Sequence, residues 1–391
     1  MPAIPDWSDH HPSADAPGQP VSEPPQPGWP PHGPGPGDPL DLEWLRAGVD
    51  RELVEFLQER GRELHAIDPA LDVQHRVVAD FVSVGKRLRP AFCYWGWRGG
   101  GGARHDLGIV TAAAALELLQ AAAIVHDDVM DASDTRRGKP SVHRQFAQLH
   151  QDCGWSGPAD RFGVGAALLL GDLCLCWSDE LLRKARLPAD RLLAGFSYFD
   201  RMRTEVMAGQ YLDLVAQASG TTSLPQALRV VRYKSAKYTV ERPLHLGGVL
   251  AGAPAELLDA YSAFGTPLGE AFQLRDDILG VFGDPEATGK PAGDDLREGK
   301  RTVLVAKALE AATPAQARRF RRWFGDRDLD SAGVAELREM IVATGALAGV
   351  EQMIADLVDA ASRALADAPL VDEQARSVLA ELAHLATQRT H

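Results

Sequence analysis

The chain reads as an all-α protein, and three features of its 391 residues say so. Apolar side chains recur every three or four positions, as in Leu42, Leu45, Val49, Leu53 and Phe56 and again in Val350, Met353, Ile354, Leu357, Val358 and Leu365. That is the period of a helix with one buried face. Helix starts are legible: in Thr313-Pro314-Ala315-Gln316 a capping Thr precedes Pro at the first helical position and Gln at the third, the pattern of a capping box. Short alternating strands joined by Asn-Gly or Asp-Gly are missing from the sequence, as is any self-similar repeat of solenoid length.

In chain order, residues 1–40 hold half of the 26 prolines and very few aliphatic side chains. They cannot bury enough surface to fold, so a solvated, disordered tail is expected, with a ligand for a proline-recognising domain as the alternative. Residues 41–391 are expected to form one all-helical domain, since large helical folds absorb such a length as a unit. Leu107 to Val125 is Ala/Leu-rich and close to the length of a bilayer span. Glu117 and Gln120 interrupt it and His126-Asp127-Asp128 follow, so a buried core helix is expected, a carboxylate inside a membrane being costly. Gly99 to Gly102 and Gly154 to Pro158 read as loops between helices, because neither follows a strand or carries a phosphate-loop spacing.

Composition narrows the function. Apolar residues make up 45% and charged residues 24%, ordinary for a soluble globular protein. A formal charge of -13 leaves no broad basic footprint for nucleic acid or an anionic membrane surface, so no nucleic-acid partner is expected, and with Leu107 to Val125 read as a core helix no transmembrane segment is expected either. An acidic protein that binds anions would need metal ions or a few focused basic side chains. Cys93, Cys153, Cys174 and Cys176 form no CxxC pair and have no His at zinc-finger spacing, so reduced thiols are expected, with Cys174 and Cys176 packed in an apolar helix. The opening Met-Pro-Ala-Ile-Pro-Asp lacks the basic and apolar regions of a secretory signal, which makes the cytoplasm the default.

Two acidic clusters carry the chemistry. Asp127-Asp128-Val129-Met130-Asp131 closes the Ala-rich helix. On a helix Asp127 and Asp131 share a face while Asp128 is turned away by about 100°, and their repulsion is relieved when a hard cation such as Mg²⁺ sits between them and a diphosphate. A second cluster, Gln273-Leu274-Arg275-Asp276-Asp277, ends the apolar stretch Phe264 to Phe272 about 150 residues later. Each alone also describes a solvated helix end; two in one helical chain can face each other across a cavity. Basic groups stand near both: Gly85-Lys86-Arg87-Leu88-Arg89-Pro90, Arg136-Arg137-Gly138, Lys234 and Lys290, suited to meet phosphate through Arg forks and Lys point charges. His126 is expected to hydrogen-bond at its helix end; a proton relay or a metal ligand is the alternative.

With these residues in view, the chain resembles the trans-isoprenyl diphosphate synthases, or polyprenyl synthetase family. The landmarks are GKRLRP at 85–90, DDVMD at 127–131 with RRG at 136–138, GD at 171–172, GQYLD at 209–213, KSAKYT at 234–239, FQLRDD at 272–277 and GKPAGDDLREGKRT at 289–302. Each is weak alone, and all seven in order are specific. The resemblance implies a single large bundle of antiparallel helices around a deep central cavity, as a homodimer. It implies Mg²⁺, three ions per site, held by Asp127, Asp128, Asp131, Asp276 and Asp277 and bridged to an allylic diphosphate, with Arg136, Lys234, Gln210 and Lys290 assisting. Isopentenyl diphosphate would be held by Lys86, Arg89, Gln120 and Arg137, while Lys234, Ser235 and Gln273 would lie beside the reacting carbons. The implied reaction ionises the allylic C–O bond, adds isopentenyl diphosphate to the cation and loses a proton, with geranylgeranyl diphosphate the expected product.

Three departures from the family pattern stand out: Gly280 where a third Asp is common, with Asp284 four residues later; Val84 where many members carry a second glycine; and Ser235 for Thr. Ala123 and Ala122 lie four and five residues before Asp127, roughly 6 to 7.5 Å along the helix. Short-chain members tend to place an aromatic floor there, so two alanines leave room past fifteen carbons, with Leu119 and Leu118 on the next turn as a stop near twenty. Close helix packing is the other use of such alanines. A class I terpene cyclase shares the first cluster but not a second diphosphate site, and a non-catalytic subunit of a heteromeric synthase has Gly280 as its foothold.

Overall fold

The computed structural model describes residues 42–283 and 293–387. The proline-rich tail 1–40, Asp284 and Lys290 lie outside the described residues.

The all-α expectation holds apart from one two-residue hairpin. Helix α1 (Leu42–Ile67) buries Leu45, Val49, Leu53 and Phe56, the stripe its periodicity demands. After α2 (Asp72–Val82) and α3 (Leu88–Gly99) comes α4 (Leu107–Met130), started by the Asp106 side chain, which accepts from the Gly108 backbone N–H at 2.7 Å. Helix α4 is apolar around most of its circumference, which suits an element enclosed on all sides. It packs among α1, α3 and α6 (Ala159–Arg183). Among the described residues α4 and α6 are both long and apolar enough to cross a membrane, and 83% of the apolar window of α4 is buried inside the protein, as expected of a core helix. Its interrupting Glu117 is satisfied by an ion pair with Arg87 at 2.6 Å.

Between α4 and α6 lie the hairpin β1 (Thr135–Arg136) and β2 (Lys139–Pro140) and helix α5 (Val142–Asp152). The hairpin turns on Arg137 and Gly138, both at positive φ (54° and 75°), the geometry of tight two-residue connections. Helix α7 (Ala189–Ser219) is followed by a continuous helical run: α8 (Leu224–Val230), a π-helical segment Val231–Glu241, and α9 (Arg242–Ala251). Helix α10 (Ala255–Phe282), the short α11 (Asp294–Glu298), α12 (Val303–Ala311), α13 (Pro314–Trp323), α14 (Ser331–Ala343), α15 (Ala346–Asp367) and α16 (Glu373–Thr387) complete the chain. Thr313 and Gln316 form the expected capping box at α13, and α15 buries Val350, Ile354 and Leu365. The Gly99–Gly102 and Gly154–Pro158 segments are interhelical connections.

The buried apolar side chains fall into two clusters, and α10 belongs to both. Its first half puts Leu257, Tyr261, Phe264 and Leu268 into the cluster around α3, α4 and α9. Its second half puts Ala271, Leu274, Ile278 and Val281 into the cluster around α12, α14 and α15. The cavity described below lies where the two meet. All four cysteines are free thiols. Burial pushes Cys174 up to about 12, but Cys176 is exposed, against the packing role expected of it. Two residues along a helix is a rotation of about 200°, so the pair cannot share the buried face.

Candidate active site

A cavity of about 800 Å³ opens between α3, α4, α7, the π-helical segment, α10 and α11. Leu119, Ala122, Ala123, Leu175, Val206 and Met207 make one end apolar, and the carboxylates and cations of the sequence motifs gather at the other. The volume falls in the usual range for small-molecule sites.

The last turn of α4 presents Asp127 and, one turn on, Asp131, as their four-residue spacing requires. Asp127 lies 3.1 Å from Lys234 and 3.7 Å from Arg136. Burial disfavours its charged form, but Lys234, Lys300 and Arg136 outweigh that and hold its carboxyl below the ordinary range. Asp131 is buried, with Lys300 3.7 Å away; burial and the Asp127 charge raise it to about 6. Asp128 points away from the cavity and is wholly buried. It accepts from Arg136 Nε at 2.8 Å and from the same guanidinium's terminal nitrogen, which fixes Arg136 at the rim. His126 lines the cavity edge with its Nε2 3.1 Å from the Leu168 carbonyl of α6, a hydrogen bond made across to α6.

The π-helical segment supplies Lys234, Ser235, Tyr238 and Thr239 to the cavity wall. An extra residue per turn widens the helix there, and such segments concentrate at functional sites. Helix α7 meets it backbone to backbone at Gly209: a Cβ there would lie 2.3 Å from the Lys234 nitrogen, so only glycine lets the two helices close on the lysine. Lys234 Nζ then reaches Asp213 of α7 at 2.7 Å as well as Asp127. Burial works against its charge, yet Asp127, Asp213 and Asp131 raise its pKa above the usual lysine value. Ser235 Oγ donates to Gln273 Oε1, and Gln273 Nε2 donates to Asp277 at 2.8 Å, so a hydrogen-bonded relay ties the π segment to the second acidic cluster. Gln210 lines the same wall.

The basic loop before α3 divides its labour. Lys86 and Arg89 line the cavity; Arg89 lies over the Tyr238 ring at 4.3 Å and donates to Thr239 at 2.9 Å. Arg87, between them, has left-handed backbone (φ 54°) and turns inward to Glu117, Asp50 and the Val82 carbonyl. Gln120 lines the cavity and accepts from the Tyr238 hydroxyl at 2.7 Å. Arg137 lies outside the lining and donates to the carbonyls of Val84 (2.7 Å) and Phe81 (3.3 Å), tying the hairpin to the loop that carries Lys86.

Opposite α4, α10 contributes Asp276 and Asp277, with Gly280 and Asp295 beside them in the lining. Burial pushes Asp277 up to about 7, with Asp295 and Asp276 adding to it and the Gln273 hydrogen bond opposing. Lys300 joins the two acidic faces: its Nζ is 2.8 Å from Glu298, 3.6 Å from Asp295 and 3.7 Å from Asp131. These carboxylates raise it well above the usual lysine value despite burial.

The donor set fits Mg²⁺. Every candidate ligand is a carboxylate oxygen, the hard donor Mg²⁺ prefers. Both Asp131 oxygens are buried without a hydrogen-bond donor, which otherwise costs about 1–3 kcal/mol or more for a charged group. Among the described residues no three His, Cys, Asp or Glu side chains converge on one point as a protein-only metal site.

Sequence reasoning missed Asp213, Asp295 and Lys300. Each lies inside a quoted landmark, as the last residue of GQYLD, the second Asp of GDDLREGK and the Lys before Arg301. Charge and position in those motifs were the available signals.

Fold and site together define an α-helical enzyme whose partly apolar cavity ends in two facing acidic clusters flanked by buried lysines and arginines. Residues 73–341 match the family described as polyprenyl synthetase. A solved structure of geranylgeranyl pyrophosphate synthase from Corynebacterium glutamicum, complexed with isoprenyl diphosphate and magnesium, superposes with a TM-score of 0.85 at 39% identity. The match covers 89% of this chain and 99% of that one. Geranylfarnesyl diphosphate synthase of Aeropyrum pernix is 30% identical over 301 residues, 75% of this chain and 87% of its own. Nonaprenyl diphosphate synthase of Mycobacterium tuberculosis is 30% identical over 354 residues, 90% and 96% of the two chains. The chain belongs to the polyprenyl synthetase family and is a trans-isoprenyl diphosphate synthase.

Proposed function

We propose that this prenyltransferase condenses isopentenyl diphosphate with an allylic diphosphate and that geranylgeranyl diphosphate is its product. The observation that carries the reading is a cavity whose charged end holds two groups of cations beside one apolar tunnel: Lys234, Lys300 and Arg136 among the acidic clusters, and Lys86 and Arg89 at the α3 loop. Asp127, Asp131 and Asp276 would hold Mg²⁺, which supplies charge stabilisation of the leaving diphosphate when bound. Asp128 holds Arg136 in place. Lys234 is locked between Asp127 and Asp213, fully charged and aimed where negative charge grows as the allylic C–O bond breaks, so it costs no reorganisation during the reaction. The apolar walls exclude water from the carbocation, and Gln273, fixed by Ser235 and Asp277, presents a polar edge without a nucleophile.

The product length is the finer part of this reading, since the relatives make products of several lengths. Ala122 and Ala123 line the tunnel and Leu119 follows on the next turn, which supports room for twenty carbons. Leu118 is fully buried and not part of the lining, while Leu175 and Met207 from α6 and α7 share the apolar end. We read residues 41–391 as one catalytic domain, because α10 is shared by both apolar clusters. A homodimer is supported by the exposed apolar side chains Leu168 and Leu169 of α6 and Val215 of α7, with Tyr211 at the cavity mouth; a monomer would leave them in water. The purified protein, given Mg²⁺, isopentenyl diphosphate and in turn dimethylallyl, geranyl and farnesyl diphosphates, is expected to yield a C20 alcohol after hydrolysis, by mass spectrometry. A C15 product would reject the tunnel argument, and no elongation from any starter would reject the catalytic reading.

A further inference from the structure

The second acidic cluster lacks its third aspartate at Gly280, and the structure shows what stands in that space. Asp276 and position 280 are one turn apart on α10 and share the face toward the cavity. A Cβ added at Gly280 would lie 1.9 Å from Asp295 Oδ2 and 2.6 Å from its Cγ, well inside contact distance. Glycine within a helix is otherwise unfavourable, and the space a side chain at position 280 would take is the space the Asp295 carboxyl fills. Asp295 lines the cavity with Asp276, Asp277 and Gly280. Its backbone carbonyl accepts from the Lys300 N–H at 3.0 Å, and its side chain lies 3.6 Å from Lys300 Nζ. The carboxylate is thus fixed at the cluster by the short helix α11.

We infer that Asp295 supplies from α11 the carboxylate that position 280 lacks, so that Asp276 and Asp295 together serve the divalent cation of the second cluster. This rests on the reading of the cavity as a divalent-cation and diphosphate site. It also removes the one argument for a non-catalytic subunit, because the charge absent from α10 is restored by another segment of the same chain.

The test is Mn²⁺ binding in the presence of inorganic pyrophosphate, followed by electron paramagnetic resonance on the full-length protein and variants. Asp276→Asn and Asp295→Asn are each expected to weaken Mn²⁺ about tenfold or more, the scale seen when groups around a metal are altered. Gly280→Asp alone forces two carboxylates into one volume and is expected to weaken binding and lower the melting temperature. The double variant Gly280→Asp with Asp295→Asn moves the carboxylate to α10 and is expected to restore affinity to near the wild-type value. Should Asp295→Asn fail to fold, Gly280→Ala displaces the same carboxylate and is expected to weaken Mn²⁺ likewise. Wild-type affinity in Asp295→Asn, with Asp276→Asn weakened, overturns the inference and leaves the site reading standing. A double variant that stays weak also overturns it, since Asp295 would then act only on Lys300. Wild-type affinity in both Asp276→Asn and Asp127→Asn would instead overturn the site reading itself.

Discussion

Replacing Lys234 by Gln shortens the side chain by one atom and keeps a donor on the Asp213 side but removes the charge. Lys234 Nζ is 2.7 Å from Asp213 and 3.1 Å from Asp127, and its side chain is about three-quarters buried. At those distances each attraction amounts to about 5–6 kcal/mol at an effective dielectric of 20, before the desolvation that offsets most of it. Breaking a buried pair costs about 3–5 kcal/mol; with Arg136 and Lys300 still present, a stability loss near the lower end is expected. The catalytic loss is separate. A preorganised donor aimed at developing negative charge contributes roughly 10²–10³ in kcat, or 2.7–4 kcal/mol. The assay is one condensation at saturating substrates, with kcat and KM determined for Lys234→Gln and Asp213→Asn alongside thermal melts. Lys234→Gln is expected to lose about 10²-fold or more in kcat with KM little changed, the signature of an interaction made in the transition state. Asp213→Asn, which leaves the contact with Asp127, is expected to lose less than about tenfold on the same scale. If Lys234→Gln keeps kcat within tenfold of the wild type, or if Asp213→Asn costs as much, Lys234 only positions Asp213 and the assignment is refuted.

Three further outcomes are expected. Ala123→Phe, at a lining position, should shift the product from C20 toward C15 by mass spectrometry; Ala122→Phe, at a lining position that is itself almost fully buried, should also destabilise, by about 1–3 kcal/mol, and an unchanged C20 product from Ala123→Phe would remove α4 as the determinant of length. His245 is buried with its Nδ1 facing Arg242 at 2.9 Å, its Nε2 2.9 Å from the Leu258 carbonyl and 3.0 Å from Ser262, and Glu241, Lys237 and the Tyr198 ring close by. Burial lowers it to about 4, with the Leu258 bond and Glu241 opposing and Arg242 and Lys237 reinforcing. The unfolded chain therefore binds a proton that the native state refuses between about pH 6.5 and 4, and stability falls as pH drops through that window. His245→Gln should lose roughly 2 kcal/mol less than wild type between pH 6.5 and 5, at 1.36 kcal/mol per unit, in urea denaturation at both pH values; identical slopes would contradict the neutral, buried imidazole. Tyr211→Glu with Leu169→Lys should turn a dimer into a monomer in sedimentation velocity, whereas an unchanged sedimentation coefficient would place the subunit contact elsewhere.

The helices, the core and the two acidic clusters were legible in the sequence because they depend on local spacing. An apolar period of three or four residues demands one buried face wherever the helix goes, as Leu45, Val49, Leu53 and Phe56 show. Asp127 and Asp131 share a face by helix geometry alone, and the capping box at Thr313 closes within four residues. The same logic, applied without the helix rotation, misjudged Cys176.

What tertiary structure alone decided is which of several adjacent charges turns toward the cavity and what it meets there. Lys86 and Arg89 line the cavity, while Arg87 is spent on Glu117 and Asp50, because the left-handed turn at Arg87 sends it into the core. Asp213, Lys234 and Asp127 come from three separate helices and meet only because Gly209 lets α7 close on a π-helical segment. Gly280 looked like a lost ligand until α11 folded Asp295 against it. Sequence spacing determines the faces of single helices, but the distance between residues 127 and 234, or 280 and 295, depends on how helices pack, and packing is a property of the whole core.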